Sequence, residues 1–287
     1  MYNQIGTCFS TLRKSKHIAV NQIIGSNISQ SQYHRFIKNE SDISFSKFLL
    51  MLDQINITLE EFVFIAFDKS DPLKKGMVEI KESFEKKDIN RLRSLANEFN
   101  DYYFVDKQIK FLHMSSICEC LVSKLENKKD SSKSATLKKY LLNVETWGHY
   151  ELVLFNNTFF LYDADIIQIL FNQAKKVTSI YSALFHHIQE AIKLHSNVIL
   201  YFLERNAPEL AIGVINNLKE IETTNEQVYE KLLIKYWDIV KEYLVGEKQH
   251  AEKELCKLLD FLDFIDNTEY RSSLYDIFNF IKGKYGK

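Results

Sequence analysis

Four side chains close together in the chain, Gln30, Gln32, His34 and Arg35, carry the groups that read base edges. A glutamine amide both donates to and accepts from adenine in the major groove, and a guanidinium donates twice to guanine. Their spacing suits a helix. Tyr33, Phe36 and Ile37 recur at i, i+3 and i+4 and form one apolar stripe, which leaves Gln30, Ser31, Gln32, His34, Arg35 and Lys38 facing outward. Ser29 stands where an N-cap belongs, its hydroxyl ready to accept an N–H of the first turn. Arg13, Lys14 and Lys38 suit phosphates, which position a protein without specifying sequence. Taken singly, each of these residues reads equally well as ordinary solvated helix surface. Their setting argues otherwise: residues 1–39 hold 5 of the 37 Lys and Arg and none of the 38 Asp and Glu, although the net charge is only −1. A basic head on a mildly acidic body is expected to meet a polyanion, here double-stranded DNA.

Other constellations are weaker. His186-His187-x-x-Glu190 lacks the H-E-x-x-H spacing that puts two imidazoles and a base on one helix face. Cys118-x-Cys120 lies in an apolar helical stretch, which points to packing. With Cys8 and Cys256 as the other two cysteines, no zinc framework forms. No window holds the closely spaced glycines of a phosphate-binding loop. Neither a metal, nor a cofactor, nor a catalytic set is expected. Few cysteines, the lack of an apolar leader and apolar runs far short of a span lead to the expectation of a cytoplasmic protein off the membrane.

The elements that must position these residues are helices. Only 8 Gly and 2 Pro occur in 287 residues, and hydrophobic residues make up 46%. Such a chain can bury a core and has little material for hairpins, so an all-α fold is expected. Five short helices are predicted in residues 1–68. Ile5, Phe9 and Leu12 make the stripe of the first, and Val20, Ile23 and Ile24 that of the second. A turn at Gly25-Ser26-Asn27 precedes the base-reading helix. Phe45, Phe48, Leu49 and Leu52 face inward on the fourth, and Thr58-Leu59-Glu60-Glu61 forms a capping box for the fifth. A helix–turn–helix in a basic head is a DNA-docking arrangement. Residues 69–75 read as a linker. Residues 76–287 read as amphipathic hairpins of the tetratricopeptide kind, stacked into a solenoid. Polar breaks are expected at residues 127–133, 156–158, 206–208, 223–225, 246–249 and 267–268. Residues 226–245 and 250–265 are expected to form an antiparallel pair.

Two stretches resemble the Rgg/MutR-type regulators of Gram-positive bacteria, which sense peptide pheromones. One runs from Ile28 to Ser46 and on to Asn56-Ile-Thr-Leu-Glu-Glu-Phe62. The other is Trp147-Gly-His-Tyr-Glu-Leu-Val-Leu-Phe-Asn-Asn157. The resemblance covers most of the chain and its domain order. It implies a homodimer on an inverted-repeat operator, an XRE-like head, and a short signalling peptide on the concave face of the repeats. Two departures stand out. The family often has Glu where this chain has Ile37, then Arg-Gly where it has Lys38-Asn39, so a local ion pair is expected to be missing. Some members carry a dimer-bridging cysteine at the place of Phe45, which excludes that disulfide here.

A groove for an extended peptide must satisfy backbone amides, and asparagine both donates and accepts. Asn157 and Asn156 lie in the matched segment, and Asn197 lies on an otherwise apolar helix, where a polar residue needs a partner. Tyr236 resembles an aromatic position of the family. Helix capping or satisfied core polarity is the competing reading for each. The competing reading of the whole chain is a helical-repeat interaction adaptor without DNA binding.

Overall fold

The computed structural model describes residues 4–25, 28–67, 72–128, 132–180 and 185–286. Among these the regular structure is helical and the only β pairing is an isolated bridge between Gly25 and Ile28. The chain divides into two compact units, residues 1–85 and 86–287.

The first unit holds α1 (Ile5–Ser15), α2 (Val20–Ile23), α3 (Gln30–Ile37), α4 (Phe45–Gln54), α5 (Leu59–Ala66) and α6 (Pro72–Glu85). Its centre is aromatic: Phe9, Tyr33, Phe36, Phe48 and Phe62 are buried with Met51, Leu52 and Ile55. Phe48 lies edge-on to Phe62 with centroids 4.9 Å apart, a favoured aromatic geometry. Both expected caps are present. Ser29 Oγ accepts from the Gln32 amide at 3.2 Å, and Thr58 exchanges two hydrogen bonds with Glu61 at 3.1 and 2.7 Å. α4 departs from expectation. Phe48, Met51 and Leu52 are buried, but Phe45 and Leu49 are 63% and 39% exposed. The helix is apolar on nearly every side, so its sequence does not say which side packs. Of the expected linker, residues 69–71 lie outside the described residues, as do Ser26 and Asn27 of the expected turn; Pro72 to Lys75 already belong to α6.

The second unit continues with α7 (Ile89–Asp106), α8 (Ile109–Leu125), α9 (Ser132–Asn143), α10 (His149–Thr158), α11 (Ala164–Ile180), α12 (Phe185–Glu204), α13 (Pro208–Lys219), α14 (Val228–Leu244), α15 (Lys248–Phe264) and α16 (Thr268–Tyr285). Most neighbours in sequence pack against each other, α7 on α8, α12 on α13 and α14 on α15 most closely. α12 also packs against α10 and α14, contacts beyond sequence neighbours of the kind a stacked repeat makes. α14 and α15 are antiparallel: Glu242 approaches His250 at 3.8 Å and Lys235 pairs with Glu254 at 3.7 Å, so positions rise along one helix as they fall along the other. The expected breaks at 206–208, 223–225, 246–249 and 267–268 fall between helices or at helix starts; of the one at 127–133, residues 129–131 lie outside the described residues, and 127–128 and 132–133 flank them just past the end of α8 and at the start of α9. Residues 156–158 do not interrupt the helix: they form the last turn of α10, which runs into a 3-10 turn at Phe159–Leu161. Cys118 and Cys120 are buried as packing residues, and burial pushes the Cys118 thiol up to about 12.

Candidate functional site

The outer side of α3 gathers the expected base readers. Gln30, Ser31, His34 and Arg35 are exposed, as is Lys38 at its C-cap, while Tyr33 and Phe36 are buried. Gln32 is half-buried, its Oε1 accepting from Lys47 Nζ at 3.1 Å, which ties the reading helix to α4. His34 packs edge-on to Tyr33. Lys14 is exposed near the end of α1. Ser29 is engaged as the N-cap, so its hydroxyl has a structural duty.

Arg13 departs from the expectation of a phosphate contact. It is 9% exposed; its Nε donates to Tyr33 Oη at 2.9 Å and its Nη1 to the Ile18 carbonyl. The guanidinium therefore points into the unit and joins α1 to α3. With Ile37 in place of an acid, the hydrogen-bond partner is a neutral hydroxyl. Asn39 fastens the other end of α3. Its φ of 57° is left-handed, which asparagine tolerates better than most residues. Its Oδ1 accepts from the Gly6 amide at 2.9 Å and its Nδ2 donates to Thr7 Oγ1 at 2.7 Å. Gly6 is required by contact: a Cβ there would stand 1.8 Å from the Phe36 carbonyl oxygen.

In the second unit the expected peptide contacts separate. Asn156 on α10 donates to both the backbone carbonyl and the carboxylate of Glu190, at 3.0 and 2.8 Å, and its Oδ1 accepts from Asn197 Nδ2 at 3.2 Å. These three residues form one polar link between α10 and α12. Each is half-buried, so the link is reachable from solvent. Asn157, one position on, donates to the Val153 carbonyl of its own helix at 2.7 Å and does not join them. Tyr236 is fully buried; its hydroxyl donates to the Leu274 carbonyl at 2.9 Å, and burial raises its pKa. In this arrangement it braces α14 against α16 and offers no surface to a ligand. In the sequence Glu190 stands out only as part of a metal-like motif. Its pairing with Asn156 spans 34 residues, and no local signal announces it. The side chains of His186 and His187 lie outside those described; among the described residues no group of His, Cys, Asp and Glu could hold a metal.

The Trp147-Gly148-His149-Tyr150-Glu151 segment acts as a joint. Trp147 is fully buried and its indole N–H donates to the Leu141 carbonyl at 3.2 Å. Glu151 accepts from the Gly148 amide at 2.8 Å, capping α10, and from Tyr140 on α9 at 2.6 Å. The Tyr150 hydroxyl meets His113 Nδ1 on α8 at 2.7 Å. Burial lowers the His113 imidazole to about 4, so it is neutral near pH 7.

The family model described as "HTH-type transcriptional regulator Rgg, C-terminal domain" matches residues 80–276. The fold is similar to that of a proposed transcriptional regulator from Listeria monocytogenes EGD-e, at 17% identity over 99% of each chain with a TM-score of 0.86. It is also similar to the SHP pheromone receptor Rgg2 of Streptococcus dysgalactiae, at 18% identity over 96% of this chain and 99% of that one, with a TM-score of 0.75. The PrgX/cCF10 complex is similar at 13% identity, over 96% of this chain and 99% of that one, with a TM-score of 0.70. No helix among the described residues is long and apolar enough to cross a membrane. With the family model spanning well over half of a chain that folds throughout as these regulators do, the protein belongs to the Rgg family of HTH-type transcriptional regulators.

Proposed function

We propose that this protein is a sequence-specific DNA-binding regulator, controlled in the cytoplasm by a short peptide held on its repeat unit. The observation that carries the DNA reading is the two-sidedness of α3: Tyr33 and Phe36 anchor it in an aromatic core, and its opposite side presents Gln30, His34 and Arg35 from an acid-free segment. Gln30, Gln32, His34 and Arg35 read bases, with Ser31 beside them; Lys14 and Lys38 meet phosphates. Likeness to a pheromone receptor and to a receptor–peptide complex supports the peptide reading. Asn197 and Asn156 supply the amide chemistry such a ligand needs, with Asn157 at the edge of the site. A homodimer on an inverted repeat is the assembly proposed. It is supported by the exposed apolar residues Phe45, Leu49 and Leu50 on α4 and Leu59, Val63 and Phe64 on α5, a patch suited to a second copy.

The test is selection of duplexes from a random-sequence pool by full-length protein at two salt concentrations. An inverted repeat is expected, with affinity falling about a thousandfold or more between roughly 50 and 200 mM salt if six or more phosphates are met. Arg35→Ala should relax selection at one position of each half-site and cost about 1–3 kcal/mol. Recovery of no enriched duplex by a folded protein would replace this reading with that of an interaction adaptor.

A further inference from the structure

The buried cation in the first unit is unusual in its partners. Arg13 is nine-tenths buried, yet it donates to the Tyr33 hydroxyl and the Ile18 carbonyl, both neutral. Residues 1–39 contain no acid at all. A guanidinium is a rigid planar fork, so two bonds made in different directions fix the relative positions of the groups that accept them. Here those groups belong to α3 and to the segment that leads into α2, and the fork itself stands on α1. Tyr33 sits mid-way along α3, on its inner side, between Gln32 and His34. Rotation or sliding of α3 would break the bond to its hydroxyl. The second fastening, Asn39 to Gly6 and Thr7, lies beyond the C-terminal end of α3. Together the two fastenings hold the helix in orientation as well as in place.

A carboxylate would bond Arg13 more strongly than a phenol does. Ile37, one turn beyond Tyr33, lies on the same side of α3, so this side could have carried an acid. An acid there would set a negative charge under the helix that faces phosphates. A neutral acceptor avoids that and keeps residues 1–39, which carry α3, free of negative charge.

We infer that Tyr33 is a positioning residue for base reading: its hydroxyl, standing in for a counter-ion, holds α3 at its reading angle through Arg13 while residues 1–39 stay free of acids. This rests on the DNA-binding reading above.

The experiment compares full-length wild type with Tyr33→Phe and Arg13→Lys. It uses two duplexes, one recovered from a random pool by the wild type and one of the same composition with shuffled sequence. Tyr33→Phe keeps the buried ring and removes only the hydroxyl; Arg13→Lys keeps the charge and removes the fork. Both variants are expected to lose roughly tenfold in affinity for the recovered duplex, the size of one hydrogen bond to a charged group. Affinity for the shuffled duplex should change less than about twofold, because attraction to phosphates is unaltered. Adding Ile37→Glu to Tyr33→Phe should restore discrimination but weaken binding to both duplexes. A discrimination ratio in Tyr33→Phe equal to that of wild type would overturn the inference. So would an equal loss on both duplexes, which is the mark of a merely loosened unit. A wild type that binds neither duplex would overturn the DNA reading itself, and this inference with it.

Discussion

Adjacent asparagines on α10 have unlike duties, and their substitution should show it. Asn156 bridges two helices through Glu190 and Asn197, whereas Asn157 bonds only to its own helix. Asn156→Ala removes the three side-chain hydrogen bonds that join α10 to Glu190 and Asn197, leaving the half-buried Glu190 carboxylate with Lys193 at 3.9 Å, and should cost about 1–3 kcal/mol in a urea melt. Asn157→Ala removes a bond on a half-buried helix edge and should cost less than about 1 kcal/mol. Equal losses would mean that the α10–α12 link contributes nothing. Asn197 has capacity left for a ligand after its one bond to Asn156. Asn197→Ala should weaken binding of a peptide selected from a display library by about tenfold with little change in melting. Unchanged peptide affinity would return Asn197 to a purely structural duty. None of this division is legible in the sequence, where Asn156 and Asn157 share one expected polar break and Asn197 is a lone polar residue on an apolar helix. Tyr236 is ambiguous there for the same reason: an aromatic at helical spacing is compatible with a groove wall or with the core, and only its bond to Leu274 decides.

At the scale of elements, local signals are dependable wherever a single turn of helix contains both partners. Ser29 and Thr58 cap the helices they precede, since each cap needs only residues three positions apart. Thr58→Ala should cost about 1 kcal/mol, read as a shift in the urea midpoint. The close crossing of α1 over α3 is a different matter. Gly6 touches the Phe36 carbonyl, and a methyl group there must push α3 away. Gly6→Ala should destabilise the first unit by about 1–3 kcal/mol and blunt discrimination between duplexes. A variant with wild-type melting would show that α3 can move without cost. The low glycine content points to a scarcity of tight turns. Yet eight non-glycine residues take positive φ among the described residues, including Asn39, Asn56, Asn127 and Asn206, which end helices that glycine could have ended. Composition alone therefore understates how sharply this chain turns.

The whole molecule carries a pH dependence that no single element shows. His113 and His195 are both buried in the second unit, and burial lowers each imidazole to about 4 from an ordinary 6.5. Between those values the unfolded chain binds more protons than the folded one. Stability from neutral imidazoles is thus full above about pH 6.5 and drains away as pH falls toward about 4. Each residue contributes on the order of 3 kcal/mol at most. Thermal melts should drop steeply from pH 7 to 5, and a His113→Gln, His195→Gln variant should show a flatter profile. A double variant as steep as wild type would place the acid sensitivity elsewhere. The end of the chain also works at this scale: Tyr285 donates to the Leu203 carbonyl at 2.7 Å and Lys284 to that of Glu204 at 2.6 Å, so α16 closes over the last turn of α12.

Periodicity, capping residues and the uneven placement of charge were enough, from the sequence by itself, to determine the helical class, several of the breaks between helices, the position of α3 and most of the outward set on it. Those features depend on neighbours within one or two turns, where 3.6-residue geometry places side chains directly. Tertiary structure alone decided that Arg13 turns inward to Tyr33, that Phe45 and Leu49 face outward, that Asn156 finds Glu190 and that Tyr236 belongs to the core. Each of those outcomes depends on how the helices pack against one another, which residues within one helix do not determine.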